Sequence, residues 1–229
     1  SGFLGSDSGT ISSGTVTGQF ASADVGTGIA VTADVSGLTI SNANYRVTGV
    51  STALAADITP APITVSAAKT YDGGKTLTGS QLAIATGVGT ETLNYTSATI
   101  NSKDVKDNST NFVDAVALTD GTGKASNYKF TAARSASNTV ALSKANLTLT
   151  ANSDTSKVYN GAEQSVSGFA ITSGSLKGTD SAAVDLASIT AGAKRTDAGT
   201  TAATVNDTAY TNGNYAITKV DGSLVVAQK

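Results

Sequence analysis

The sequence predicts an all-β protein made of tandem small Ig-like β-sandwich repeats arranged end to end. Three observations predict it: apolar and polar residues alternate with a period of two, turn-forming pairs punctuate those runs, and landmarks recur 84 residues apart. A period of two puts one face of a strand in a core and the other in water. Ile63-Thr64-Val65-Ser66-Ala67 and Leu147-Thr148-Leu149-Thr150-Ala151 alternate in this way, as do Tyr128-Lys129-Phe130-Thr131-Ala132 and Tyr215-Ala216-Ile217-Thr218. Ile29, Val31, Ala33 and Val35 fall on one face of a further strand. Asn-Gly, Asp-Gly and Gly-Gly pairs lie between the runs, where hairpins need them. Helix formers other than Ala are scarce, and one stretch, 180–190, predicts a short helix or a helical turn.

The recurrence sets the organisation. The boundary Ile58-Thr59-Pro60-Ala61-Pro62-Ile63-Thr64-Val65 aligns with Leu142-Ser143-Lys144-Ala145-Asn146-Leu147-Thr148-Leu149, and Val226 opens the pattern a third time; both steps are 84 residues. Tyr71-Asp72-Gly73 is matched by Tyr159-Asn160-Gly161, and an Asn-Tyr pair occurs at Asn44-Tyr45, Asn127-Tyr128 and Asn214-Tyr215. A weaker marker is Ser22-Ala23-Asp24-Val25, with Ser102-Lys103-Asp104-Val105 and Arg195-Thr196-Asp197-Ala198. The chain therefore divides into an incomplete repeat, 1–60, and two complete ones, 61–144 and 145–229. A unit of this length is too long for one solenoid coil and right for a small sandwich. The first unit lacks the leading strand, which predicts an open edge filled by Phe3-Leu4, by Ile11 or by a neighbouring molecule. The joints hold almost no free residues, and Pro60 and Pro62 stiffen one of them. A stiff rod close to 100 Å long is expected, about 30–40 Å per unit.

Composition excludes several classes of function. With no Cys or His, the chain has no thiol nucleophile, no His-containing triad and no usual zinc set. A Ser–Lys dyad or a paired-carboxylate glycosidase has no accompanying motif, so the expectation is no enzyme, no catalytic residue and no cofactor. A net charge of −2 with scattered basic residues argues against nucleic acid. No apolar run approaches the roughly 20 residues of a membrane span. Ser1-Gly2-Phe3-Leu4 has neither the basic start nor the apolar core of a signal peptide, which for a secreted protein predicts a segment of a longer chain.

Candidate sites receive structural readings first. Tyr71 and Tyr159 are expected to anchor strand–turn junctions with their hydroxyls on backbone, rather than to stack on a ligand. Asp72 and Asn160 would bond the turn backbone, and Gly73 and Gly161 would supply positive φ. Tyr45, Tyr128 and Tyr215 read as core residues that start strands, each after an Asn in a left-handed or turn conformation. Calcium has candidates in Asp104, Asp107 and Asp120, but no Asp-x-Asp-x-Asp loop, so a solvated turn is the expectation. Sequons occur at Asn94, Asn108, Asn146 and Asn206, as chance allows in a chain rich in Asn, Ser and Thr.

Residues 16–28 (Val-Thr-Gly-Gln-Phe-Ala-Ser-Ala-Asp-Val-Gly-Thr-Gly), 56–65 (Ala-Asp-Ile-Thr-Pro-Ala-Pro-Ile-Thr-Val) and 69–73 (Lys-Thr-Tyr-Asp-Gly) resemble YDG repeats. Residues 147–151, 157–161 and 213–226 resemble MBG repeats. Both kinds belong to large bacterial surface adhesins of the filamentous-haemagglutinin-like, two-partner-secreted type. Asn160 departs from the family's Asp, and Lys103-Asp104-Val105-Lys106 departs from the run at 25–28. The resemblance implies YDG-like units at 1–60 and 61–144 and an MBG-like unit at 145–229. It further implies a structural stalk or spacer of a secreted adhesin or biofilm-matrix protein that projects a distal binding region from the cell surface. The partners expected are neighbouring repeats of the same chain and a host-surface or matrix ligand of the parent protein, with neither nucleic acid nor membrane insertion. The alternative is that the repeats themselves bind host glycan or protein as an adhesive module. An ice-binding array would need longer Thr-x-Thr ranks than Leu147-Thr148-Leu149-Thr150 offers.

Overall fold

The computed structural model describes residues 2–50 and 52–229. Ser1, which opens the tetrapeptide weighed above as a signal-peptide start, lies outside the described residues, as does Ser51. Strands take up 48% of the chain and helix 6%, which makes the protein all-β. Residues 1–60 carry β1 (Ile11–Ser13), β2 (Thr17–Phe20), β3 (Gly26–Asp34), β4 (Thr39–Ile40) and β5 (Leu54–Ile58). Residues 61–144 carry β6 (Ala61–Pro62), β7 (Thr64–Thr70), β8 (Thr76–Leu77), β9 (Leu82–Ala85), β10 (Leu93–Ile100), β11 (Val113–Asp120), β12 (Tyr128–Lys129) and β13 (Asn138–Ser143). Residues 145–229 carry β14 (Ala145–Ala151), β15 (Asp154–Val158), β16 (Gln164–Ser167), β17 (Phe169–Ser173), α1 (Ala182–Asp185), β18 (Thr190–Arg195), β19 (Gly199–Asn206), β20 (Tyr215–Val220) and β21 (Gly222–Ala227). The single-turn α1 lies where a short helix was expected.

A leading strand organises each of the two later segments. At its start Ala61 pairs in parallel with Tyr128, and β7 then pairs in parallel with β13 and antiparallel with β9. In 145–229 the same course is taken by two strands. Ala145 pairs in parallel with Tyr215, β14 lies between β20 and β17, and β15 then pairs in parallel with β21. The predicted alternation sets what these strands bury. Ile63, Val65 and Ala67 point into one core, and Ala145, Leu147, Leu149 and Ala151 into another. Thr64 and Ser66 face water between the buried positions. Each fully buried Leu or Val contributes about 1.5–3 kcal/mol over its exposed state. Buried Asn138 ties β11 to β13: its side chain accepts from the Val113 N–H (2.8 Å) and donates to the Val113 carbonyl (2.9 Å).

The first segment lacks that organiser. Its sheets are β2-β3-β5 and β1-β4. Ile29, Val31 and Ala33 share a half-buried face of β3, as the alternation predicts, and Val35 just beyond is buried. Yet Val35 is the sole buried hydrophobic among the described residues of 1–60, while Leu4, Ile11, Val16, Phe20, Val50 and Leu54 stay exposed. Neither Phe3-Leu4 nor Ile11 replaces the missing strand. Ile11 pairs across to Ile40, and Phe3 leans edge-on against the Tyr45 ring with centroids 4.7 Å apart. Tyr128 and Tyr215 begin strands as expected; Tyr45 does not, because nothing occupies the parallel position that Ala61 and Ala145 hold beside the other two. Among the described residues only glycines have positive φ, so none of the Asn residues before these tyrosines is left-handed: Asn44 sits in a turn, Asn127 ends a 3₁₀ helix over Ala125–Asn127 and Asn214 sits in a bend.

The two kinds of burial should separate in stability measurements. Leu149→Ala should lower unfolding stability by about 2–5 kcal/mol through the transfer and cavity costs of a packed core. Phe20→Ala, on the exposed strand β2, should cost less than about 1 kcal/mol. Urea titration of both variants, followed by circular dichroism, checks the contrast.

Candidate functional site

The chemistry of this chain is concentrated where the segments meet. The connections are short: β5 ends at Ile58 and β6 begins at Ala61, while β13 ends at Ser143 and β14 begins at Ala145. A side-chain clamp spans the first joint. The Val25 N–H donates to Asn127 Oδ1 (2.9 Å), and Asn127 Nδ2 donates to Asp24 Oδ1 (2.9 Å). The same clamp spans the second joint, from the Val105 N–H to Asn214 Oδ1 (2.9 Å) and from Asn214 Nδ2 to Asp104 Oδ1 (2.8 Å). In both, the Ser two residues before the Asp accepts from the Asp N–H, so the carboxylate is presented in the same way. Lys124 adds an ion pair to Asp24 at the first joint. That pair, followed by the Asn127 amide, holds the Asp24 carboxyl below its ordinary value.

A second recurring device is a turn that was not singled out from the sequence. Leu4-Gly5-Ser6-Asp7, Val88-Gly89-Thr90-Glu91 and Lys177-Gly178-Thr179-Asp180 each close with an N–H···O=C bond of 3.0 Å from the acidic residue to the first residue. Each glycine has positive φ, at 57°, 47° and 56°. Each acid then accepts a tyrosine hydroxyl: Tyr45 on Asp7 (2.8 Å), Tyr128 on Glu91 (2.5 Å) and Tyr215 on Asp180 (2.6 Å). The signal was present as Gly-Ser/Thr-acid at three places, but it becomes distinctive only beside the tyrosine it serves.

At the second joint a further tyrosine enters this arrangement. Tyr71 is 2% exposed and belongs to the core of 145–229, not to that of its own segment. Its hydroxyl donates to Asp180 Oδ2 (2.8 Å), the oxygen that also serves Tyr215, and the two rings meet edge to face at 5.5 Å. This corrects the expectation of a hydroxyl bonded to backbone: the ring packs in the core of 145–229, where its hydroxyl meets the Asp180 carboxylate. Lys103 lies 3.7 Å from Asp180 and 5.9 Å from the Tyr71 ring centroid. Burial, and then the Asp180 contact, push both Tyr71 and Tyr215 hydroxyls far above their ordinary value. Gly73 makes the approach of the segments feasible, since a Cβ there would lie 2.8 Å from the Gly178 nitrogen.

The other predicted residues are placed as follows. Asp72 and Asn160 bond the turn backbone through the N–H groups of Gly74 and Ala162, and Gly73 and Gly161 have φ of 81° and 82°. Tyr159 is 40% exposed, unlike Tyr71. Asp104, Asp107 and Asp120 are not brought together: Asp104 takes the Asn214 amide, Asp107 the Ser102 hydroxyl and Asp120 the Ala125 N–H. No cluster of three metal-ligating side chains occurs among the described residues. Of the sequons, Asn108 has both side-chain atoms engaged with the Leu142 backbone, while Asn94, Asn146 and Asn206 lie on exposed strand positions. No helix among the described residues is long and apolar enough to cross a membrane.

Tyr71→Ala should cost about 3–5 kcal/mol, and hydrogen exchange should quicken in 145–229 more than in 61–144. Tyr71→Phe should cost less, about 1.5–3 kcal/mol, through the lost hydrogen bond to a carboxylate. The pH dependence follows from the raised tyrosine values: their contribution is complete below the ordinary value of 10.0 and is lost as pH rises above it. Alkaline titration should therefore destabilise the wild type above about pH 10 and Tyr71→Phe less steeply. No family model, curated protein or solved structure matches this chain.

Proposed function

We propose that the three segments are copies of one Ig-like structural unit, and that the chain is a stalk or spacer region of a secreted bacterial surface adhesin or biofilm-matrix protein. The observation that carries the reading is the clamp that recurs at both joints, Asn127 on Asp24-Val25 and Asn214 on Asp104-Val105. A single repeated joint is what an extensible array requires, because it stacks each unit on the next without a new interface each time. Connections of one or two residues, a shared core at Tyr71 and the clamp together oppose hinge motion. The accessible surface also supports extension: 13390 Å², against about 9500 Å² expected for a compact monomer of this mass. The resemblance to YDG and MBG repeats supplies the adhesin context and the cell-surface location.

The adhesive-module alternative has little to build on. Among the strongly exposed large hydrophobics the aromatics are Phe3, Phe20 and Tyr159, one leaning on Tyr45, one on β2 and one beside a turn. They form no aromatic platform of the kind that grips a sugar face.

Small-angle scattering tests the spacer reading. A rod about 100 Å long should have a radius of gyration near 30 Å, against about 17 Å for a compact globule of this length. The double variant Asn127→Ala, Asn214→Ala should broaden the distance distribution. A compact profile, or saturable binding of the 229-residue chain to a glycan array, would defeat the proposal.

A further inference from the structure

The two joints differ in one respect. At the second, Tyr71 packs in one core with Val105 and Tyr215 and bonds Asp180, and Gly73 packs against Gly178. At the first, the corresponding place is a cavity of about 210 Å³ lined by Val25, Ile58, Val88, Glu91, Asn127 and Tyr128. Each of these residues has a counterpart by position: Val105, Leu142, Lys177, Asp180, Asn214 and Tyr215, of which Val105 and Tyr215 share the core that holds Tyr71 and Asp180 accepts its hydroxyl. The Glu91 carboxylate holds one tyrosine hydroxyl where Asp180 holds two. Gly89 keeps the positive φ of Gly178, yet a Cβ on it would meet nothing within 4 Å, where Gly178 meets Gly73.

The backbone beside this cavity is open as well. In 61–144, β13 pairs in parallel with β7, and in 145–229, β21 pairs in parallel with β15. Among the described residues their counterpart β5 is hydrogen-bonded to β3 alone, which leaves its other edge unpaired there. Residues 45–50, which stand where β12 and β20 receive Ala61 and Ala145, have no strand partner. Ile58, the last residue of β5, and Val88, next to Gly89, both line the cavity.

We infer that the edge of β5 and the cavity at Glu91 form one receptor site, and that its ligand is a leading strand of the repeat's own kind. That ligand is an extended segment of alternating apolar and polar residues ending in Tyr-Asp-Gly or Tyr-Asn-Gly. Its backbone adds to β5 in parallel, its apolar residues cover the exposed Leu54 and the half-buried Val31 beside it, and its tyrosine hydroxyl donates to Glu91 beside Tyr128. This is strand addition to an open edge, with main-chain bonds giving affinity and one tyrosine socket giving register. The inference rests on reading the segments as copies of one unit, but not on what the parent protein adheres to.

The test grafts a copy of residues 61–84 directly ahead of residue 1 of the 229-residue chain, which restores the spacing from Tyr71 to Val88 between the new tyrosine and Leu4. Hydrogen exchange in 45–50 and 54–58 should slow at least tenfold. The same graft with Ala in place of its tyrosine should lose most of that protection, and so should the graft on Glu91→Gln. A free peptide of sequence 61–74 should also bind the ungrafted chain saturably and compete with nothing in 145–229. Unchanged exchange in the grafted chain, or protection indifferent to the tyrosine, overturns the inference. Concentration-dependent dimerisation that persists in the grafted chain also overturns it, since the edge would then be made for a second copy. An extended scattering profile in the ungrafted chain is expected whether or not the graft docks, so the two proposals fail separately.

Discussion

The two buried cores of this chain each depend on a leading strand that carries an alternating apolar stripe and has a paired strand on each edge. Ile63, Val65 and Ala67 in one case, and Ala145, Leu147, Leu149 and Ala151 in the other, are buried because the strand has neighbours on both edges and a core beneath. Residues 1–60 provide the comparison within one molecule. Their strands β2, β3 and β5 pair, and their pattern alternates, but without the leading strand Val35 is the sole buried hydrophobic among their described residues. Hydrogen-bonded strands without a covered face are marginal in water, which is why sheet formation and core formation separate here.

The joint between 61–144 and 145–229 uses a different physical device, one carboxylate shared by two buried hydroxyls. Desolvating Asp180 is costly unless its oxygens are satisfied. Tyr71 and Tyr215 both donate to one of them, and Lys103 stands 3.7 Å from the other. Because one tyrosine comes from each segment, separating the segments would leave the carboxylate short of a donor and expose the Tyr71 ring. The Asn214 clamp on Asp104 and Val105 holds the other side of the same joint. Apolar burial, hydrogen bonding and the close glycine contact thus all meet at this one joint.

The departures noted in the sequence have local consequences. Lys69 is almost fully buried, donates to the carbonyls of Gly74 and Thr76 and pairs with Asp72 at 2.7 Å. Its counterpart Lys157 precedes Asn160 and so has no such carboxylate; it pairs with Asp154 at 3.3 Å and stays more exposed. At Lys103-Asp104-Val105-Lys106 the chain makes a 3₁₀ turn over Val105–Asp107, where Val25 leads straight into β3. The clamp survives because it uses the Asp carboxylate and the Val N–H, and neither depends on the conformation of the residues after the Val.

The sequence by itself determined the all-β class, the leading strands, the one- and two-residue connections and the Tyr-Asp-Gly and Tyr-Asn-Gly turns. These are local properties: period-two alternation, a positive-φ glycine and an Asx side chain act over a few residues. The pairing Asn-Tyr was legible as a recurring mark, but its role was not, since Asn127 and Asn214 act on residues 103 and 110 positions away. Only the tertiary structure decided that Tyr71 belongs to the neighbouring core and that the Gly-Ser/Thr-acid turns are tyrosine acceptors. It alone decided that Glu91 holds one tyrosine hydroxyl where Asp180 holds two. The physical reason is that each of these depends on which surfaces the packed sheets bring within hydrogen-bond distance, and alternation along a strand says which face is buried without saying against what.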